Sequence, residues 1–179
     1  MAKAMKWITA VSFVLTAVFT GLTRAGLDWA FPAAITGGTF FYHFAMRLAV
    51  GYGLNHFMKN KADLTRAWYQ LRPFEARLYQ ALNVKKWKGN MPTFAPSLFD
   101  PKLHSWEEIA QAMCQAELVH EAIAVLSFLP LLGSIPFGSF GVFLTTSILS
   151  ALYDLSFVVM QRFNRPRIMK LIAKERAAR

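Results

Sequence analysis

Glu117 and His120 stand three apart in the run Ala116-Glu117-Leu118-Val119-His120, and a helix there brings both side chains to one face. A carboxylate beside an imidazole fixes its tautomer and raises its basicity. Such a pair takes the proton from a hydroxyl as its oxygen attacks a carbonyl. The run sits where a polar helix start gives way to an apolar stretch, the depth at which a lipid acyl group meets a polar acceptor. A polar pair at that depth also anchors a helix without doing chemistry, and both readings stand at this point. Glu121 is an alternative partner for His120, although adjacent side chains diverge by about 100°.

Two basic clusters are candidates for binding phosphate. The first is Gln161-Arg162-Phe163-Asn164-Arg165-Pro166-Arg167, whose three guanidinium forks suit phosphate oxygens. Pro166 disfavours helix at Arg165 and predicts a turn there. A membrane anchor on the positive side explains the charge equally well, though not the Asn-Arg-Pro-Arg order. The second is Lys85-Lys86-Trp87-Lys88, with Pro92 downstream. Anchoring at a headgroup interface is the simpler account, and a grip on an anionic donor is the other. Metal chemistry finds no support: the His-Glu at 120 and 121 lacks a second histidine four residues on. Glu-x-x-His is half of a di-iron helix motif without its second copy. Cys114 is the only cysteine, so no intrachain disulfide forms, and it reads as a packing thiol.

The elements that must position these residues belong in a membrane. Of 179 residues, 55% are hydrophobic and 17% charged, against about 25% charged in a soluble domain. Disordered, collagenous and disulfide-scaffold classes are excluded, and a small all-α integral membrane protein is favoured. The net charge of +10 would suggest nucleic acid in a soluble chain. In a membrane chain it marks cytoplasmic loops, or attraction to anionic lipid or a phosphate-bearing donor, and no nucleic-acid partner is expected.

Four spans are predicted in a single membrane domain, at about 7–22, 33–58, 117–132 and 137–160. Lys3, Lys6 and Arg24 flank the first without a convincing cleavage site, which predicts a retained helix rather than a signal peptide. His43 and Arg47 share one face of the second, and Arg47 is costly at that depth unless it faces protein or water. Residues 59–116 are predicted to form a helical subdomain on the cytoplasmic membrane surface. Its Leu64–Leu82 stretch has helical periodicity with a break near Pro73, and Met91–Pro101 reads as irregular. Ser105 with Glu108 makes a capping box for the next helix. Residues 161–179 form a basic tail. Four spans place eighteen of the twenty Lys and Arg on one side, so both termini are predicted to be cytoplasmic.

Taken in order, Lys86-Trp87-Lys88 with Pro92, Ala116-Glu117-Leu118-Val119-His120, and Gln161-Arg162-Phe163-Asn164-Arg165-Pro166-Arg167 give the chain a likeness. From about Lys85 to Leu171 it resembles the glycosyl-4,4'-diaponeurosporenoate acyltransferase family, whose named activity esterifies the sugar of a glycosylated carotenoid with a fatty acyl chain. The resemblance implies a transferase in a bacterial cell membrane that moves a fatty acyl group onto a hydroxyl of a glycolipid or related lipid acceptor. His120 is then the general base, oriented by Glu117. Arg162, Arg165 and Arg167, with Lys86, Trp87 and Lys88, hold the phosphates of acyl-CoA or another acyl carrier, and Asn164 or Gln161 donates to the developing oxyanion. No cofactor is expected. Two other readings remain: a small membrane methyltransferase, and a non-catalytic membrane partner whose basic clusters bind anionic lipid.

Overall fold

The computed structural model describes residues 2–178. Among them every regular element is helical: α1 (Ala2–Arg24), α2 (Phe31–Met58), α3 (Glu75–Ala81), α4 (Val84–Trp87), α5 (Trp106–Leu126), α6 (Ser134–Phe137) and α7 (Phe140–Ala177), with short 3-10 turns in several of the connections. Three stretches are long and apolar enough to cross a membrane: Ala2–Arg24, Trp106–Phe137 and Phe140–Ala177. The second of these takes in α5, a 3-10 turn at Leu129–Gly133 and α6. At 28 residues α2 has the length, about 42 Å at 1.5 Å per residue, but is not among the three. His43, Arg47, Asn55 and His56 dilute its apolar run.

The chain divides into two compact units. The first comprises the residues through Tyr52 together with Ile123–Leu152. Here α1 turns large apolar side chains outward, Trp7 and Phe13 among them, and buries only Ser12. Hydroxyls along α1 and α2 bond the carbonyl four residues back, as Ser12 to Ile8 (2.7 Å), Thr16 to Ser12 (2.6 Å) and Thr39 to Ile35 (2.8 Å). That pairing lets polar side chains ride in a helix away from water. A Cβ on Gly37 would come within 3.0 Å of Thr16 Oγ1, so α1 and α2 approach there as small-residue helix pairs do. Arg47 is provided for inside the unit: it donates to Ser150 Oγ (2.7 Å) and to the His43 carbonyl (3.0 Å). Ser150 also meets His43 Nδ1 at 3.1 Å and Ser127 Oγ at 2.9 Å.

The second unit comprises Gly53–Ala122 and Tyr153–Arg179 and holds most of the candidate chemistry. α5 starts as its sequence predicts. The Ser105 N–H donates to Glu108 Oε2 (2.8 Å) and the Glu108 N–H to Ser105 Oγ (3.2 Å), the reciprocal bonds of a capping box. Two predicted elements differ. The helical periodicity of Leu64–Leu82 resolves into a 3-10 turn at Ala67–Tyr69 and the short α3. Pro73 separates them, and Asn83 ends α3 in the left-handed region at φ +50°, which asparagine tolerates better than most residues. The predicted turn at Pro166 and the separate tail are also corrected, because α7 runs unbroken to Ala177 with Pro166 inside it. Proline removes the donor for the Arg162 carbonyl, yet the side chains of Arg162 and Arg165, on either side of that step, are fixed by bonds to other elements.

Candidate functional site

Four charged residues from three helices meet in the interior of the second unit. Glu117 of α5 is fully buried. Its Oε1 accepts from Arg162 Nη1 at 2.6 Å and its Oε2 from Arg165 Nη2. Arg162 also clamps Glu75 of α3, Nη2 to Oε1 at 2.5 Å and Nε to Oε2 at 3.0 Å. Its remaining donors reach the carbonyls of Trp68 (2.8 Å) and Gln70 (2.9 Å), while Arg165 Nη1 reaches that of Tyr69 (2.8 Å). Two arginines three apart on α7 thereby tie α3, α5 and the 3-10 turn into one cluster. Tyr79 donates to Glu75 from one helical turn on. Burial pushes the Glu75 carboxyl up, but bonds from Arg162, Tyr79 and the Arg72 amide outweigh it and hold it below the ordinary value. Burial and the bond to Glu75 push the Tyr79 phenol up, so both groups keep their ordinary protonation at neutral pH.

This cluster gives two groups of expected site residues other partners. Both Glu117 oxygens pair with arginines rather than with His120. All five N–H donors of Arg162 are engaged, so none is left for a phosphate. Arg165 is 4% exposed and faces the same carboxylate. The forks suited to phosphate are closed by Glu75 and Glu117 instead.

His120 takes its carboxylate from elsewhere. Its Nδ1 lies 2.9 Å from Asp154 Oδ1 on α7. The Asp154 side chain is 1% exposed and that of His120 23%. A carboxylate oxygen accepts from an imidazole N–H, so Nδ1 is the donating nitrogen of this pair. The ring stacks on Phe157 with centroids 4.4 Å apart and planes 7° from parallel, and Tyr153 meets Phe157 edge-on at 5.1 Å. The carboxylate and the aromatic ring fix the orientation of a partly exposed imidazole, an arrangement that can exchange a proton with a neighbouring group. Glu121, the alternative partner, instead accepts from Trp68 Nε1 at 3.0 Å.

The other expected binding residues divide by exposure. Lys88 Nζ donates to Asn164 Oδ1 (2.5 Å) and stands 4.8 Å over the Phe163 ring. Desolvation lowers its ammonium, and repulsion from Arg167 and Lys85 lowers it further, which places three cations near one another. Arg167 and Lys86 are exposed. Trp87 donates Nε1 to the Leu82 carbonyl (2.9 Å), a bond from α4 back to the end of α3, and Gln161 is buried. The structure therefore brings Lys88, Asn164 and Arg167 together, apart from the internal Arg162 and Arg165. Asp154 and Glu75 were missed as partners. Each carried a signal: Asp154 is the lone carboxylate in an otherwise apolar run, and Glu75 the lone acid in a basic stretch.

No curated protein and no solved structure matches the chain. The family model described as glycosyl-4,4'-diaponeurosporenoate acyltransferase (CrtO) matches residues 65–174, a range that takes in the ion-pair cluster, the His120–Asp154 pair and the Lys88–Arg167 group. That match covers more than half of the 179 residues, and the chain belongs to the glycosyl-4,4'-diaponeurosporenoate acyltransferase family.

Proposed function

We propose that this chain is a membrane O-acyltransferase that moves a fatty acyl group from an acyl thioester onto a hydroxyl of a lipid or glycolipid acceptor, with His120 as general base held by Asp154. The observation that carries this reading is the buried Asp154 carboxylate on Nδ1 of a partly exposed imidazole, joined to the family match. In the step proposed, Nε2 takes the acceptor O–H proton while the oxygen bonds to the acyl carbonyl carbon. The carbon–sulfur bond breaks, and the departing thiolate receives the proton from the imidazolium. Lys88 and Arg167 bind the phosphates of the donor, acyl-CoA or a similar carrier. Asn164 uses its carbonyl oxygen to fix Lys88, which leaves its amide N–H groups for an acceptor. Arg167 lies thirteen residues beyond Asp154 on α7, about 20 Å along the axis. In acyl-CoA the phosphates stand a pantetheine arm away from the thioester, so such a separation suits that donor.

We further propose that α2 is a fourth crossing, made tolerable by the internal bonding of Arg47 and His43, with both termini cytoplasmic. Four crossings keep the basic residues on one face of the membrane.

The test is transfer of label from acyl-CoA to extracted lipid in membranes containing the protein, with S-adenosylmethionine as the competing donor. Labelled lipid from acyl-CoA alone supports the reading; methyl transfer without acyl transfer sinks it. Lys88→Ala and Arg167→Ala are each expected to raise the donor KM with little change in kcat, since bonds to the distant phosphates are alike in ground and transition states. Unchanged KM in both variants removes the phosphate role.

A further inference from the structure

α3 has two sides of opposite character. Glu75 and Tyr79, one turn apart, are buried. Phe74, Leu78 and Leu82 follow one another at four-residue steps, so they form a single ridge along the helix. They are 57, 40 and 45% exposed, and Leu71 just before them is 47% exposed. Scattered apolar residues are ordinary at a protein surface, but a contiguous ridge calls for a partner. The clamp of Arg162 on Glu75 fixes the rotation of α3, so the ridge cannot roll inward.

The flanks identify the partner's chemistry. From Arg66 to Lys88 the sequence has six Lys and Arg and one acid, Glu75. That acid is buried, whereas Arg72 and Arg77 are exposed. The exposed charge of this segment is therefore wholly positive. An apolar ridge flanked by cations, with no exposed anion, is the pattern of a helix lying in an anionic bilayer surface. The same unit carries the start of Trp106–Phe137, which is apolar enough to cross a membrane, so a bilayer is the surface at hand.

We propose that α3 is an interfacial helix for anionic lipid: Phe74, Leu78 and Leu82 enter the boundary between acyl chains and headgroups, and Arg72 and Arg77 pair with lipid phosphates. This is independent of the acyl-transfer reading, and its test has no enzymatic readout. Nitroxide labels are placed through Phe74→Cys, Leu78→Cys, Leu82→Cys and Gln80→Cys, one at a time, in a Cys114→Ala background. The full chain is reconstituted in phosphatidylcholine vesicles with and without phosphatidylglycerol. Collision with oxygen, which partitions into lipid, is compared with collision with a water-soluble nickel chelate. Labels at 74, 78 and 82 are expected to favour oxygen several-fold more than the label at 80, and to lie shallower without phosphatidylglycerol. Equal nickel access at 78 and 80 in anionic vesicles overturns the proposal. Equal depth in both lipids overturns the anionic preference, and spin–spin broadening at 74 and 78 assigns the ridge to a second copy instead. If Cys114→Ala loses helical signal, the same labels in the wild-type background serve, because Cys114 is fully buried.

Discussion

His120→Ala is expected to lower acyl transfer to lipid by about 10²–10⁴-fold, the usual contribution of a positioned general base, while the protein stays folded. The side chain is partly exposed and makes one hydrogen bond, to Asp154 Oδ1, so its loss removes little packing beyond the stack on Phe157. The loss should fall on kcat, with the donor KM nearly unchanged, because the proposed phosphate ligands are Lys88 and Arg167, the latter thirteen residues along α7 from Asp154. Asp154→Asn is expected to act in the same direction without removing the ring. An amide N–H offered to Nδ1 favours the tautomer that carries its proton on Nε2, and that tautomer cannot accept from the acceptor hydroxyl. Initial rates for wild type and both variants, at matched amounts of folded protein, check both expectations. Wild-type rates in either variant would remove the dyad from the mechanism.

Glu117→Gln is expected to act on stability first. The substitution leaves Arg162 and Arg165 facing a neutral amide in a fully buried position. Removing one partner from a buried ion pair costs about 3–5 kcal/mol, since the charges left behind stay desolvated. The measurement is thermal unfolding in detergent, followed by helical circular dichroism. Arg165→Met combined with Glu117→Gln should cost less than the sum of the two single changes, because the second removes a charge that the first has orphaned. Additive losses would mean that the pair is not coupled, and an unaltered midpoint for Glu117→Gln would mean that the cluster carries little of the fold.

The same residues show what was legible in the sequence. Composition and apolar run length were enough for an all-helical membrane chain, and the capping box at Ser105 fixed the start of α5. His120 stood out because a carboxylate, Glu117, stands three positions before it where a polar helix start turns apolar. Its partner was misassigned because spacing along one helix reports only neighbours on that helix. Glu117 and His120 are three apart, but Asp154 lies 34 positions downstream of His120 and reaches it through tertiary packing. The arginines of the Asn-Arg-Pro-Arg run looked like phosphate ligands because their forks fit phosphate and carboxylate alike. Only the fold reveals that Glu75 and Glu117 fill them first. Pro166 predicted a turn from local backbone preference, and bonds from Arg162 and Arg165 to distant elements outweighed that preference.

The ion-pair cluster also imposes an order on biosynthesis. Glu75 and Glu117 leave the ribosome well before Arg162 and Arg165, so α5 must wait, its carboxylate uncompensated, until the far half of α7 has been made. During that interval the nascent chain resembles one with its arginines deleted. A message truncated just after Met160 would encode every predicted crossing and His120 with its Asp154, yet leave two acids permanently without their cations. Such a product should be a substrate for membrane quality control rather than a shorter enzyme, and the last turns of α7 act as the seal on a folding sequence that starts a hundred residues earlier.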